Sequence, residues 1–326
     1  MRRLYLHIGY PKTGTTALQT FFSENTEALA TAGILYPATG RISNAHYAFN
    51  FSLRIGHFNP KLDIPAPNVL RAALDKEASA AGCDALLVSS EYFSLARRAD
   101  EVRDFFVGYD VKIVVYLRRH DDAVESGYGQ SVQTVPSPPW GPTIDSYVLY
   151  EITANPILYD YLPTLQRWAA VFGKDALIVR PFERQQNTPD LFSDMLGAIG
   201  VVDSPAFQRP GQINNSLRPE AIAAIHAVRR TSLPEPIKSN VVSHLIRTGR
   251  EGSSRGRHMS PQMRSALVGR FAPFYSIIAR DYMGREDGIL FRDPPPTPTD
   301  EWERTPQLNP DEVLEYVLSK LAPQLR

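Results

Sequence analysis

Cysteine is almost missing from this chain. Cys83 is the only one in 326 residues, which excludes an intrachain disulfide and points to a reducing compartment. Net charge is missing too: 35 lysines and arginines balance 35 aspartates and glutamates. No global field therefore directs the chain to nucleic acid or a membrane surface, and any anion site has to be local. No run approaches the roughly twenty apolar residues that span a bilayer. The first strand pattern starts almost at the first residue, leaving no room for a signal peptide, so a cytoplasmic protein is expected. The seven histidines fall into no H-E-x-x-H or Cys/His spacing, so no metal is expected. There is no G-x-S-x-G elbow for a Ser/His/Asp hydrolase. The first strand is not followed by G-x-G-x-x-G, which removes the usual dinucleotide fingerprint.

What is present starts with His7-Ile-Gly-Tyr-Pro-Lys12-Thr-Gly-Thr-Thr16. Leu4, Leu6 and Ile8 alternate as in a buried strand that stops at Gly9. A turn carrying glycine, proline and one lysine follows, and Thr15 and Thr16 open a helical pattern extending towards Gly33. A strand, a glycine-bearing turn and a helix N-terminus make an anion site. Glycines let backbone N–H groups approach the ligand, the helix end adds partial positive charge, and lysine adds a full one. Lys12 precedes Gly14, whereas the Walker order places lysine after the second glycine.

Further strands are expected near residues 34, 85, 112 and 176, the clearest being Lys112-Ile-Val-Val-Tyr-Leu117. Helices are expected over 69–81, 97–106, 121–132, 161–172, 188–199, 219–230, 261–282 and 310–321. Pro136-Ser-Pro-Pro-Trp140-Gly-Pro142 opens what reads as a long surface loop to about residue 156. Residues 247–258 read as a basic loop and 294–298 as an extended linker. Alternating strands and helices describe an α/β fold, a mostly parallel central sheet with helices on both faces. A single domain over 1–326 is expected, with irregular insertions near 38–67 and 135–158 and a helical extension near 300–326. Ligands of such sheets collect beyond the C-terminal ends of the strands, where the Lys12 loop, Glu91 and Arg118 all lie.

Arg118 offers a planar, multi-donor fork suited to a phosphate dianion. Ser126 follows about two turns into the next helix and can add a hydroxyl; equally, Arg118 can pair with Asp121 or Asp122. Glu91 ends a buried strand and can act as a general base, cap the next helix or hold an arginine. Arg180 and Glu183 end another strand, where a structural ion pair is the expected use. Tyr47, Phe49, Trp140, Tyr147 and Tyr150 suit stacking on a sugar ring or a flat apolar molecule.

The order G-x-x-K-x-G-T-T resembles the 5′-phosphosulfate loop of sulfotransferases, which use 3′-phosphoadenosine 5′-phosphosulfate as sulfuryl donor. Arg118 with Ser126 resembles their 3′-phosphate element. The resemblance implies a P-loop-like nucleotide-binding fold of the sulfotransferase type. It places donor-binding roles on Pro11, Lys12, Thr13, Gly14, Thr15, Thr16, Arg118 and Ser126. Ser254-Arg255-Gly-Arg257-His258 resembles the loop that closes over the 3′-phosphate, which adds Arg255 and Arg257; a solvated loop is the other reading. Ser-Ser-Glu91-Tyr-Phe is similar to the strand-end glutamate of Golgi heparan sulfotransferases, implying Glu91 as base. Other members use histidine, which implies His46. Lys12 would neutralise charge on the leaving phosphate. The chain looks closest to the bacterial branch, whose acceptors are commonly glycans or small molecules. Two alternatives stay open: a P-loop small-molecule kinase using ATP and Mg²⁺, and a non-catalytic nucleotide- or glycan-binding protein of the same fold.

Overall fold

The computed structural model describes residues 1–56, 62–156, 159–211, 217–249, 256–305 and 312–313. The strands are β1 (Arg2–His7), β2 (Ile34–Leu35), β3 (Ala85–Ser89), β4 (Tyr109–Leu117) and β5 (Leu177–Pro181). The helices begin with α1 (Thr15–Glu24), α2 (Thr26–Thr31), α3 (Tyr47–Ser52), α4 (Pro67–Ala81), α5 (Ala99–Phe105) and α6 (His120–Thr134). They continue with α7 (Ile144–Ala154), α8 (Tyr161–Phe172), α9 (Leu191–Ala198), α10 (Pro219–Arg229), α11 (Glu235–Thr248) and α12 (Pro261–Met283). Two compact units result. The first comprises Met1–Arg119, Ile157–Ile213 and Ala272–Asp293; the second comprises His120–Pro156, Asn214–Phe271 and Pro294–Arg326.

The first unit holds the sheet, whose strand order is β2-β3-β1-β4-β5, with every pairing parallel. Every residue of β3 is buried, so both faces of the central strands are covered, as a parallel sheet requires. One face packs Leu87, Val114 and Tyr116 against Leu18, Phe21 and Phe22 of α1 and Met195 and Leu196 of α9. The α/β architecture with its mostly parallel sheet is thus as expected. After β1 the chain builds β2 and β3 on one side of it, then β4 and β5 on the other. The topology therefore reverses beside β1, where open α/β sheets take ligands. The ends of β3, β1 and β4 are neighbours there, and they carry Glu91, the Lys12 loop and Arg118.

Three expectations need correcting. The helix expected from Thr15 towards Gly33 is broken at Asn25. Its side-chain amide donates to the carbonyls of Phe21 (2.8 Å) and Gln208 (2.9 Å), and its oxygen accepts the Gln208 N–H (2.7 Å). That local competition for backbone groups ends α1. The loop expected near 135–158 contains α7. Thr143 caps it by accepting the Ser146 N–H, and Ile144, Tyr147, Val148 and Glu151 are its buried residues. Their i, i+3, i+4, i+7 spacing was present in the sequence but overshadowed by the prolines before it. Trp140 and Tyr147, 5% and 2% exposed, pack edge to face 5.0 Å apart and form core in the second unit. They offer no open stacking surface. The expected helix over 310–321 lies outside the described residues except at 312 and 313.

Candidate functional site

The loop after β1 gets its shape from three residues with left-handed backbone. Gly9, Lys12 and Gly14 have φ of 47°, 69° and 75°. A Cβ at Gly9 would lie 2.6 Å from Thr15 Cγ2 and 3.3 Å from the Glu91 Cα, so the loop can approach the end of β3 only with glycine there. A Cβ at Gly14 would lie 2.6 Å from Leu191 and 2.9 Å from Phe182. Lys12, by contrast, adopts a conformation that disfavours side chains, a mark of strain at functional turns. Thr13 is buried and staples the turn: its hydroxyl donates to the Tyr10 carbonyl at 2.7 Å. Helix α1 starts at Thr15 with no side-chain cap. Thr15 is buried; Pro11, Lys12 and Gly14 are half-buried and Thr16 is exposed.

Arg118, at the end of β4, donates from Nη1 to the Lys12 carbonyl at 2.9 Å. Its guanidinium lies 5.4 Å from the Phe182 ring centroid, and the Tyr161 hydroxyl holds its carbonyl at 2.8 Å. Burial, and then the Arg118 charge, lower the Lys12 pKa from its ordinary value. Two cations thus repel across one strand-end loop, an arrangement that an anion would relieve.

Glu91 follows β3 as the first residue of a short 3₁₀ turn, Glu91–Leu95. Its Oε2 accepts from Gln19 Nε2 of α1 at 2.9 Å, and its Oε1 accepts from the Tyr47 hydroxyl of α3 at 2.8 Å. The side chain is half-buried. His46 lies close by in the chain but is fully buried. Nδ1 accepts the Ser89 N–H at 3.1 Å, which fixes the tautomer, and Nε2 therefore donates to the Pro37 carbonyl at 3.0 Å. The ring stacks on Phe49, and burial pushes its pKa down to about 4. With both nitrogens engaged by backbone, the ring has no lone pair to offer an acceptor.

Arg180 makes an ion pair with Asp194, which also accepts from Tyr116 at 2.6 Å. Glu183 accepts the N–H groups of Arg292 and Asp293 at 2.8 and 2.6 Å. Both uses are structural.

In the second unit Ser126 is half-buried on α6. Arg257 pairs with Asp122 at 2.8 Å, and its carbonyl accepts from Trp302 at 2.8 Å. Arg255 lies outside the described residues. The sequence pattern gives Gln19 no role. Its one local mark is a polar amide next to the apolar face of Leu18, Phe21 and Phe22, and the structure buries it. Among the described residues, no group of three or more His, Cys, Asp or Glu could hold a metal ion, and no helix is long and apolar enough to cross a membrane.

No model of a known protein family matches the chain. It is 25% identical over 246 residues to a protein of Archaeoglobus fulgidus described as uncharacterized, a match covering 71% of this chain. The match spans 65% of that relative, less than two thirds of its length. Among solved structures the chain is similar to the crystal structure of a sulfotransferase from Alicyclobacillus acidocaldarius. The TM-score is 0.43 and the identity 19%, over 75% of this chain and 96% of that one.

Proposed function

We propose that this chain is a sulfotransferase that moves a sulfuryl group from 3′-phosphoadenosine 5′-phosphosulfate to a hydroxyl or amine. The acceptor is a glycan or small molecule, and the setting is the cytoplasm. The observation that carries the proposal is the order and placement of Lys12. This lysine precedes Gly14, is strained in a strand-to-helix loop, and is coupled in charge to Arg118 on the neighbouring strand. A loop of this kind binds a phosphate through backbone N–H groups and a helix N-terminus. The second cation suits a donor that carries a second phosphate.

The donor supplies the sulfuryl group and leaves as adenosine 3′,5′-bisphosphate. Lys12 stabilises negative charge growing on the 5′-phosphate oxygen as the S–O bond breaks. Thr15, Thr16 and the loop N–H groups hold that phosphate, and Arg118 serves the 3′-phosphate. Glu91 takes the proton from the acceptor as its oxygen or nitrogen bonds to sulfur. His46 is not assigned this step, because both its nitrogens serve backbone groups. Positioning and fixed charge do most of the work, as in phosphoryl transfer.

Thermal unfolding with nucleotides tests the donor. Adenosine 3′,5′-bisphosphate at 100 times its Kd should add about 2.7 kcal/mol of stability. Stabilisation by ATP with Mg²⁺ and none by the bisphosphate would favour a kinase and overturn the proposal.

A further inference from the structure

We infer that Gln19 and Tyr47 are positioning residues for Glu91, which they clamp from two different helices; this rests on the reading of Glu91 as the base. A carboxylate on a short side chain can rotate, and its two oxygens offer about four lone-pair directions. Here each oxygen has one direction taken, Oε2 by Gln19 at 2.9 Å and Oε1 by Tyr47 at 2.8 Å. The carboxylate plane is thereby set, and the directions left to the acceptor proton are set with it.

Neither donor is loosely placed. Gln19 is 3% exposed and stands one turn after Thr15 on α1, the helix whose N-terminus frames the Lys12 loop. Through Gln19 the base is therefore tied to the helix that frames the phosphate loop. Tyr47 packs 5.2 Å from the Tyr92 ring and 6.1 Å from Phe51. Upstream of it, the Asn44 amide donates to Thr20 of α1 at 3.1 Å. Burial and Glu91 both raise the Tyr47 pKa, so this phenol acts as a hydrogen-bond donor and keeps its proton. Misalignment of a reacting group by about 1 Å costs up to about 10²-fold in rate, which is the scale on which such a clamp matters.

The test compares Tyr47→Phe and Gln19→Leu in two backgrounds, wild type and Glu91→Gln. Phenylalanine keeps the ring packing and leucine keeps the buried volume, so each change removes mainly the donor. The probe is ³⁵S-labelled 3′-phosphoadenosine 5′-phosphosulfate, with label counted in 4-nitrophenol, chitooligosaccharide and released sulfate. In the wild-type background each substitution should lower kcat about tenfold. KM for the donor and the thermal shift by adenosine 3′,5′-bisphosphate should stay within about twofold of wild type, since the phosphate loop is untouched. In the Glu91→Gln background neither substitution should lower the residual rate further, because both act through that carboxylate. Equal losses in both backgrounds, or unchanged kcat in the first, would overturn the clamp. A wild-type rate in Glu91→Gln alone would instead remove Glu91 as base, and the clamp with it.

Discussion

The strand-end edge of the first unit and the helical second unit contain the same kinds of residue put to opposite uses. At the strand ends, Lys12 and Arg118 are brought together as like charges. The chain between them accepts left-handed backbone at Lys12. In the second unit two arginines are each tied to a carboxylate of α6. Arg264 grips Asp121 at 2.6 and 3.1 Å, and Arg257 meets Asp122 at 2.8 Å. Glu125 accepts the N–H groups of His258 and Met259. Basic residues beside glycine look alike along a chain; left-handed backbone and a like charge close by mark Lys12, whereas the α6 carboxylates mark Arg257 and Arg264.

This contrast can be broken by substitution. The largest effect is expected at Asp121, which is fully buried. Asp121→Ala strips Arg264 of its buried partner and should cost about 3–5 kcal/mol of stability in urea unfolding. A change below about 1 kcal/mol would show that this pair is no structural tie. Lys12→Ala should do the reverse. Sulfuryl transfer should fall about 10²–10³-fold, while the unfolding midpoint stays near wild type; near-normal transfer by that protein would sink the assignment.

Protonation tests what the two units share. His7 and His46 in the first unit, and His226 and His258 in the second, are each pushed by burial from 6.5 down to about 4. The unfolded chain binds these protons more tightly, so the contribution is complete above about pH 6.5 and is lost as pH falls towards 4. The loss should be on the order of a few kcal/mol for each ring, read as a falling urea midpoint across that window. A flat midpoint would mean the rings accept protons while folded. The smallest effect is expected at Arg257, whose pair with Asp122 is 39% and 27% exposed. Arg257→Ala should change stability by under about 1 kcal/mol and leave stabilisation by adenosine 3′,5′-bisphosphate intact. Loss of that stabilisation would mean that Arg257 meets the donor, as the resemblance implies, and would blur the contrast.

Much of the fold was legible because its signals are local. The alternation up to Ile8 and the β-branched run to Leu117 each identify a strand from neighbours in the chain. The helix expected over 69–81 shows itself through its closing Gly82, and the structure starts it two residues earlier, at Pro67. The break at Asn25 was not legible, since its partner Gln208 lies 183 residues away. The candidate site divides in the same way. Lys12, Gly14, Glu91 and Arg118 were visible as residues at strand ends, where backbone and side chains leave the sheet together. The clamp on Glu91 was not, because Gln19 is 72 residues and Tyr47 44 residues from it.

By itself, then, the sequence determined which strands form and which residues stand at their ends, since both follow from hydrophobic period and turn chemistry. The tertiary structure decided how those residues are engaged. His46 is drawn into the core with both nitrogens used, Arg257 pairs with Asp122, and Glu91 is held from two helices. Burial and hydrogen bonding depend on which distant groups the packing brings within about 3 Å, and spacing along a chain does not contain that distance.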